Sequence, residues 1–442
     1  MASILIEHVD VVTLAAGQRL RRDCAIAIDG ARIAAIGDVP ADFVPTERVD
    51  GRGCLALPGF FNAHCHAPMT LERGFAEDLP FDRWLNEKIW VAESALEEED
   101  VYWGAALAAC EMIRAGVVGF ADHYFWMDQV ARVVEESGMK ALLAWCHFGL
   151  GPDQEVGRAS FETTVEFARR WQGAAGGRVR TALGPHSPYM CPPEVLRRTG
   201  DAARRLGVPV HLHLAESDEQ VRQSMQRHGR RPVAHVASLG LLDGPLLAAH
   251  CIAVDDDEIA LLAERRAHVA HTPKTYLKLA MGMAPLSRLL AAGVPVALGS
   301  DGPASNADLN LLEVLRIAAL LQKHEARDPV ALPVGQTLAL GTRAGAEALG
   351  FDASGVLAPG APADLVLLDV RGPHWCPRHD LAAGVVYASH PGDVRWVLVD
   401  GQVLLRRGEL TTLDEERICY EAERRAIRMV GRDMAQVRAY RG

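Results

Sequence analysis

Two histidines stand one residue apart at the end of a short apolar run, Leu57-Pro58-Gly59-Phe60-Phe61-Asn62-Ala63-His64-Cys65-His66. On a strand, side chains alternate between faces, so both imidazoles point one way and Cys65 points the other. Neutral imidazole is a common ligand for zinc and related ions, but two nitrogens do not complete a site. Other polar residues also end apolar runs: His213 in Val210-His211-Leu212-His213-Leu214-Ala215-Glu216, His250 in Ala249-His250-Cys251, and Asp301 in Leu298-Gly299-Ser300-Asp301-Gly302. Taken singly, each such histidine is more often a hydrogen-bonded structural residue than a ligand. Taken together, His64, His66, His213 and Asp301 make a set that holds one divalent ion and leaves a position for water. Such an ion lowers the pKa of its water to about 7, which supplies a hydrolytic nucleophile at neutral pH. Glu216 follows His213 by three residues, a place from which a carboxyl group passes protons. Read as structure alone, Glu216 caps a helix start, His250 is a satisfied core histidine and Asp301 is an N-cap.

These residues meet only if the elements carrying them converge. Candidate strands end near His66, His123, Cys146, His186, Leu214, Cys251, His271 and Asp301, most of them followed by helix-length amphipathic segments such as Glu97 to Ala115 with its stop at Gly116. Eight apolar strands alternating with helices imply an α/β fold, a (β/α)8 TIM barrel, whose active sites lie at the C-terminal strand ends. Two strands begin alike, as Gly207-Val208-Pro209-Val210 and Gly293-Val294-Pro295-Val296, with proline where a missing N–H is tolerable. Residues 1–56 read as short strands with turns at Ala16-Gly17-Gln18 and Asp29-Gly30-Ala31. Similar strands return in Ala363 to Leu368 and in Arg395 to Leu404, the latter a hairpin with Asp400-Gly401 at its turn. The expected organisation is a small β-sandwich domain from 1–56 and 357–442 around a catalytic barrel at 57–356, closed by a surface helix from about Leu413 to Arg438.

Of the 442 residues, 49% are hydrophobic and 23% charged, enough for a large core. The formal net charge of -11 speaks against nucleic acid or an anionic membrane surface as partner. Neither a basic leader nor a membrane-length apolar run is seen. Nine scattered cysteines read as reduced thiols of a cytoplasmic protein. Outer helix faces suit either the β domain or a homo-oligomer, and the sequence does not separate the two.

Pro58 to His66, His213 with Glu216, His250, and Gly299-Ser300-Asp301-Gly302-Pro303-Ala304-Ser305-Asn306 resemble the amidohydrolase superfamily over almost the whole chain, within its mononuclear deaminase and chlorohydrolase branch. Ala67-Pro68-Met69-Thr70, Arg73-Gly74, Glu77-Asp78-Leu79, Trp84-Leu85 and Gly184-Pro185-His186-Ser187-Pro188-Tyr189 are most similar to 5′-methylthioadenosine/S-adenosylhomocysteine deaminases. Binuclear members bridge their metals with a lysine at the fourth strand, and Val179 to His186 contains none, so the resemblance implies one ion, zinc ahead of iron. It also implies roles. Glu216 moves the water's proton to a ring nitrogen, His250 orients the water, and Asp301 holds the ion and assists the leaving amine. His186 meets the purine edge, Glu93 the ribose hydroxyls, and Arg158 an amino-acid carboxylate.

The sequence departs from the resemblance at two places. Trp145 stands where a second carboxylate-binding arginine is expected, and an indole is no substitute for a guanidinium fork. As a wall of the site, Trp145 favours an apolar 5′ group, hence 5′-methylthioadenosine, adenosine or another 5′-modified adenosine over S-adenosylhomocysteine. The seventh-strand loop, His271-Thr272-Pro273-Lys274-Thr275-Tyr276, is also altered, which offers Lys274 and Tyr276 to another ring system. His123 and His147 are expected to pack at the barrel rim. The leading expectation is metal-dependent hydrolytic deamination of an adenine-type nucleoside with release of ammonia. The alternatives are a deaminase or chlorohydrolase of a pterin, oxidised guanine or s-triazine, and an inactive scaffold, against which the complete polar set argues.

Overall fold

The computed structural model describes residues 3–15, 20–148 and 160–431. Eight parallel strands form one sheet in chain order: Phe60–Cys65, Val117–Tyr124, Lys140–His147, Val179–Pro185, Val210–Leu214, Leu246–His250, His268–His271 and Val296–Leu298. Val117–Tyr124 and Lys140–His147 are buried at every position, as strands covered on both faces must be. The seam between the last strand and the first is stitched by Asn62, whose Nδ2 donates to Ser300 Oγ (2.7 Å) and whose Oδ1 accepts from Ser300 N (2.9 Å). Asp301 N donates to His64 O across the same seam at 2.9 Å. Gly299 permits this closeness, because a Cβ there would lie 2.9 Å from His64 N. The barrel therefore closes where His64 and Asp301 stand.

The helices follow local signals. Glu98–Arg114 starts at a capping box between Glu97 and Asp100 and ends at Gly116, whose φ is +80°. Pro193–Leu206 starts with proline in its first turn and ends at Gly207 in the left-handed region, two residues before Pro209 and the fifth strand. Pro209 and Pro295 contribute to the ladder through their carbonyls, which accept from Leu183 N and Val269 N.

The two ends of the chain share one nine-stranded mixed sheet, in which Cys54–Pro58 lies parallel to Ser3–Val11 and antiparallel to Leu365–Asp369. Asp400-Gly401 forms the tight turn between Val394–Val399 and Gln402–Arg406, both residues at positive φ. This sheet has its own core, including Ile4, Ile6, Val9, Ile28, Leu365 and Leu398. It is fastened to the barrel by Lys140, which opens the third strand. Lys140 Nζ donates to Asp364 (2.5 Å) and Asp400 (2.8 Å), and it is almost fully buried with Asp364. The closing helix is described over Glu415–Val430 and buries Ile418, Ala422, Arg425 and Met429 on one side. Arg425 reaches Asp100 on the first long barrel helix at 3.0 Å. Residues 432–438 of its expected span, like the Ala16-Gly17-Gln18 turn, lie outside the described residues.

Candidate metal centre and active site

His64 and His66 stand at and just past the end of the first strand, His213 on the fifth, His250 at the end of the sixth, and Asp301 three residues past the eighth. His66 Nδ1 lies 2.6 Å from the carbonyl oxygen of His123, and His213 Nδ1 lies 3.0 Å from that of His186. A carbonyl only accepts, so each Nδ1 carries the proton and each Nε2 keeps a lone pair. Those two Nε2 atoms are 3.2 Å apart. Two lone pairs facing at that distance need a cation. His64 Nδ1 pairs with His211 Nε2 at 2.9 Å, and the buried His64 Nε2 has no hydrogen-bond partner among the described residues and lies 3.6 Å from Asp301 Oδ1. The same carboxylate oxygen is 3.3 Å from His66 Nε2. His64, His66 and Asp301 thus form one group able to share an ion, His64, His213 and His250 a second, and His66, His123 and His213 a third. The donor set fits a divalent metal.

The electrostatics agree. Burial pushes His64 far below the ordinary imidazole range and holds His213 and His250 at about 4, so all three stay neutral and able to ligate. Asp301 is buried among these imidazoles. Its backbone takes a φ of +64°; Oδ1 accepts from Gly302 N and Oδ2 from Ser305 Oγ, which aims the carboxylate at the histidines. Helix capping falls instead to Asn310.

Glu216 is buried beside this group. Its Oε1 is 3.6 Å from His250 Nε2, and its Oε2 accepts from Gln220 Nε2 (3.2 Å) and Tyr189 OH (3.4 Å). Burial raises its pKa, with His213 opposing. His250 has a φ of +79° and is held by Thr272 Oγ1 at 3.2 Å. Above these groups opens a cleft. Its wall is largely apolar and aromatic, with Met69, Phe81, Trp84, Trp90, Phe125 and Phe148. His186 and Glu93 also line it.

Other expectations fail on geometry. Trp145 is no wall of the cleft: its neighbour Cys146 lines the cavity, so strand alternation turns Trp145 outward, where its ring packs edge-on against Phe167 at 5.6 Å. Lys274 is engaged by Asp308 (2.7 Å) and Glu313 (2.5 Å), and Tyr276 is fully buried, donating from its hydroxyl to His250 O. Only Thr275 of that loop reaches the cleft. His147 packs at the rim, bonded to Thr199, whereas His123 lines the cavity. Arg158 lies outside the described residues. Tyr189, Gln220, Thr272 and His211 escaped the sequence reading because their task is to hold other side chains, which only tertiary contact reveals. The motif Gly184 to Tyr189 was the single hint of Tyr189.

The amidohydrolase family model matches residues 55–404. The chain belongs to the amidohydrolase family. It is 44% identical over 436 residues to the 5-methylthioadenosine/S-adenosylhomocysteine deaminase of Pelotomaculum thermopropionicum, covering 98% of this chain and 100% of that one. Among solved structures it resembles a zinc-bound adenosine deaminase from Xanthomonas campestris, with a TM-score of 0.92 at 34% identity over 97% and 98% of the two chains. It also resembles a zinc complex of atrazine chlorohydrolase from Arthrobacter aurescens, with a TM-score of 0.87 at 27% identity over 96% and 100%. This amidohydrolase is a metal-dependent hydrolytic enzyme acting on a small molecule. No described helix is long and apolar enough to cross a membrane.

Proposed function

We propose that this amidohydrolase removes the exocyclic amine of an adenine nucleoside carrying an apolar 5′ group, with 5′-methylthioadenosine as the type substrate, and that its resident ion is zinc. The observation that carries the reading is Glu216: a buried carboxyl group with one oxygen anchored by Gln220 and Tyr189 and the other turned toward His250 and the metal ligands. His64, His66, His213 and Asp301 would hold the ion, which when bound supplies a nucleophile near neutral pH by lowering the pKa of water. Glu216 accepts the proton released there and delivers it to the ring nitrogen next to the amine-bearing carbon. His250, fixed by Thr272, orients the incoming water and stabilises the charge that develops on the attacked carbon's oxygen. Asp301 assists the proton to departing ammonia. Aromatic side chains close around the heterocycle and exclude bulk water.

Glu93, hydrogen-bonded by Tyr124, is a carboxyl group in the largely apolar wall of the cleft, suited to a pair of ribose hydroxyls. The apolar lining favours a thioether or similar 5′ group, a preference now independent of Trp145. The similarity to an atrazine chlorohydrolase keeps a second reading, hydrolysis of a free heterocycle such as an s-triazine. Ammonia release from 5′-methylthioadenosine, adenosine, S-adenosylhomocysteine, pterins, guanines and triazines separates them. Activity on nucleosides that falls about 10- to 1000-fold in Glu93→Gln supports the first reading. Activity confined to free heterocycles and indifferent to Glu93→Gln would discard it.

A further inference from the structure

His123 is 1% exposed, and neither of its ring nitrogens has a hydrogen-bond partner among the described residues. A buried imidazole with both nitrogens unmatched is costly, and such groups call for a ligand. Its backbone is committed, since the His123 carbonyl fixes ligand His66 at 2.6 Å. The side chain is not, and it lines the cleft.

The groups around His213 follow one another in an arc. His250 meets Glu216 at 3.6 Å, Glu216 meets Tyr189 at 3.4 Å, and ring centroids step from Tyr189 to His186 (5.8 Å), to His123 (6.1 Å) and to His66 (6.1 Å). Glu216 and His123 therefore approach the reacting position from separate sides, with His186 and Tyr189 between them. An adenine attacked at C6 offers N1 on one side of that carbon, and on the other C5 with N7 beside it. If Glu216 serves N1, the polar atom presented to the far side is N7, an acceptor only. His186 already holds Ser187 Oγ at 3.0 Å through Nδ1, whereas His123 holds nothing. We propose that His123 donates a hydrogen bond from its ring N–H to the purine N7 and is a second specificity residue of the heterocycle, opposite Glu216. The inference rests on the adenine-nucleoside reading and adds to it the atom that is read. It also gives the neutral imidazole a use, because the neutral ring has one N–H to give.

The test compares 5′-methylthioadenosine with its 7-deaza analogue, in which a C–H replaces N7, on the zinc-loaded protein and on His123→Phe. The wild-type protein is expected to favour the parent nucleoside. His123→Phe should lose about 10- to 100-fold in kcat/KM on the parent and no more than about 3-fold on the 7-deaza compound, so that the preference collapses. His123→Ala gives the same comparison if the phenylalanine variant does not accumulate. Equal losses on both substrates would mean that His123 only shapes the cavity, and loss of bound zinc would make it a metal ligand; either result overturns the proposal. Failure of the wild-type protein to release ammonia from either nucleoside removes the deaminase reading itself, an outcome distinct from an unchanged preference.

Discussion

Glu216→Gln isolates chemistry from structure, because the side-chain environment tells how glutamine will sit. Oε2 of Glu216 accepts from Gln220 Nε2 and Tyr189 OH, so the amide oxygen of the variant takes that place. The amide NH2 then occupies the Oε1 position, 3.6 Å from His250 Nε2, a nitrogen able to accept when the His250 proton sits on Nδ1 and faces Thr272. No buried group is newly orphaned, and stability should change by less than about 1 kcal/mol. What is lost is a group that takes up and gives a proton. Positioned acid–base catalysis contributes about 10²- to 10⁴-fold, so kcat should fall by that factor, or about 3–5 kcal/mol in the barrier, with KM and metal content little changed. Steady-state ammonia release, metal analysis of the purified variant and its urea unfolding midpoint give the three numbers. A kcat within about tenfold of the wild type, with the metal retained, would show that the proton travels by another route.

Trp145→Arg should not create a carboxylate site. It would place a guanidinium on the helix-facing side against Phe167, and it is expected to cost more than about 3 kcal/mol while leaving the ratio of kcat/KM for S-adenosylhomocysteine and 5′-methylthioadenosine unchanged. A shifted ratio would return Trp145 to the cleft. Lys140→Met strands Asp364, 1% exposed at its side chain, with Ser354 Oγ and Asp400 N as its remaining donors among the described residues, and should cost about 3–5 kcal/mol in urea unfolding. A cost under about 1 kcal/mol would mean that the two sheets do not depend on this tie. Glu72 is fully buried, without a hydrogen-bond partner among the described residues, and burial and then Glu93 hold its pKa well above the carboxylate range. The folded state thus keeps a proton that the unfolded chain loses near pH 4.3, and stability is lost as pH rises through that window. Glu72→Gln should match the wild type near pH 4 and exceed it by about 1–3 kcal/mol at pH 8; a difference that does not grow with pH would contradict this. Chelation should abolish ammonia release and lower the thermal midpoint, both restored by zinc, and activity that survives complete metal removal would refute the metal requirement.

Periodicity and punctuation determined the barrel, the pairing of the chain ends and the Asp400-Gly401 turn, because alternation, apolar runs and glycine or proline act locally. Residue type and spacing brought the candidate ligands together as well, since a polar group ending an apolar parallel strand must lie at the barrel mouth. Which way a strand residue faces was decided only by the closed barrel: the alternation is legible but its phase is not, and that one ambiguity sent Trp145 outward and His123 inward. Lys274 and Tyr276 were likewise claimed by partners far along the chain, Asp308 with Glu313 and the carbonyl of His250. The seam stitched by Asn62 and Ser300, and the hold of Gln220 and Tyr189 on Glu216, are contacts between residues whose types alone carry no signal, so only tertiary packing creates them.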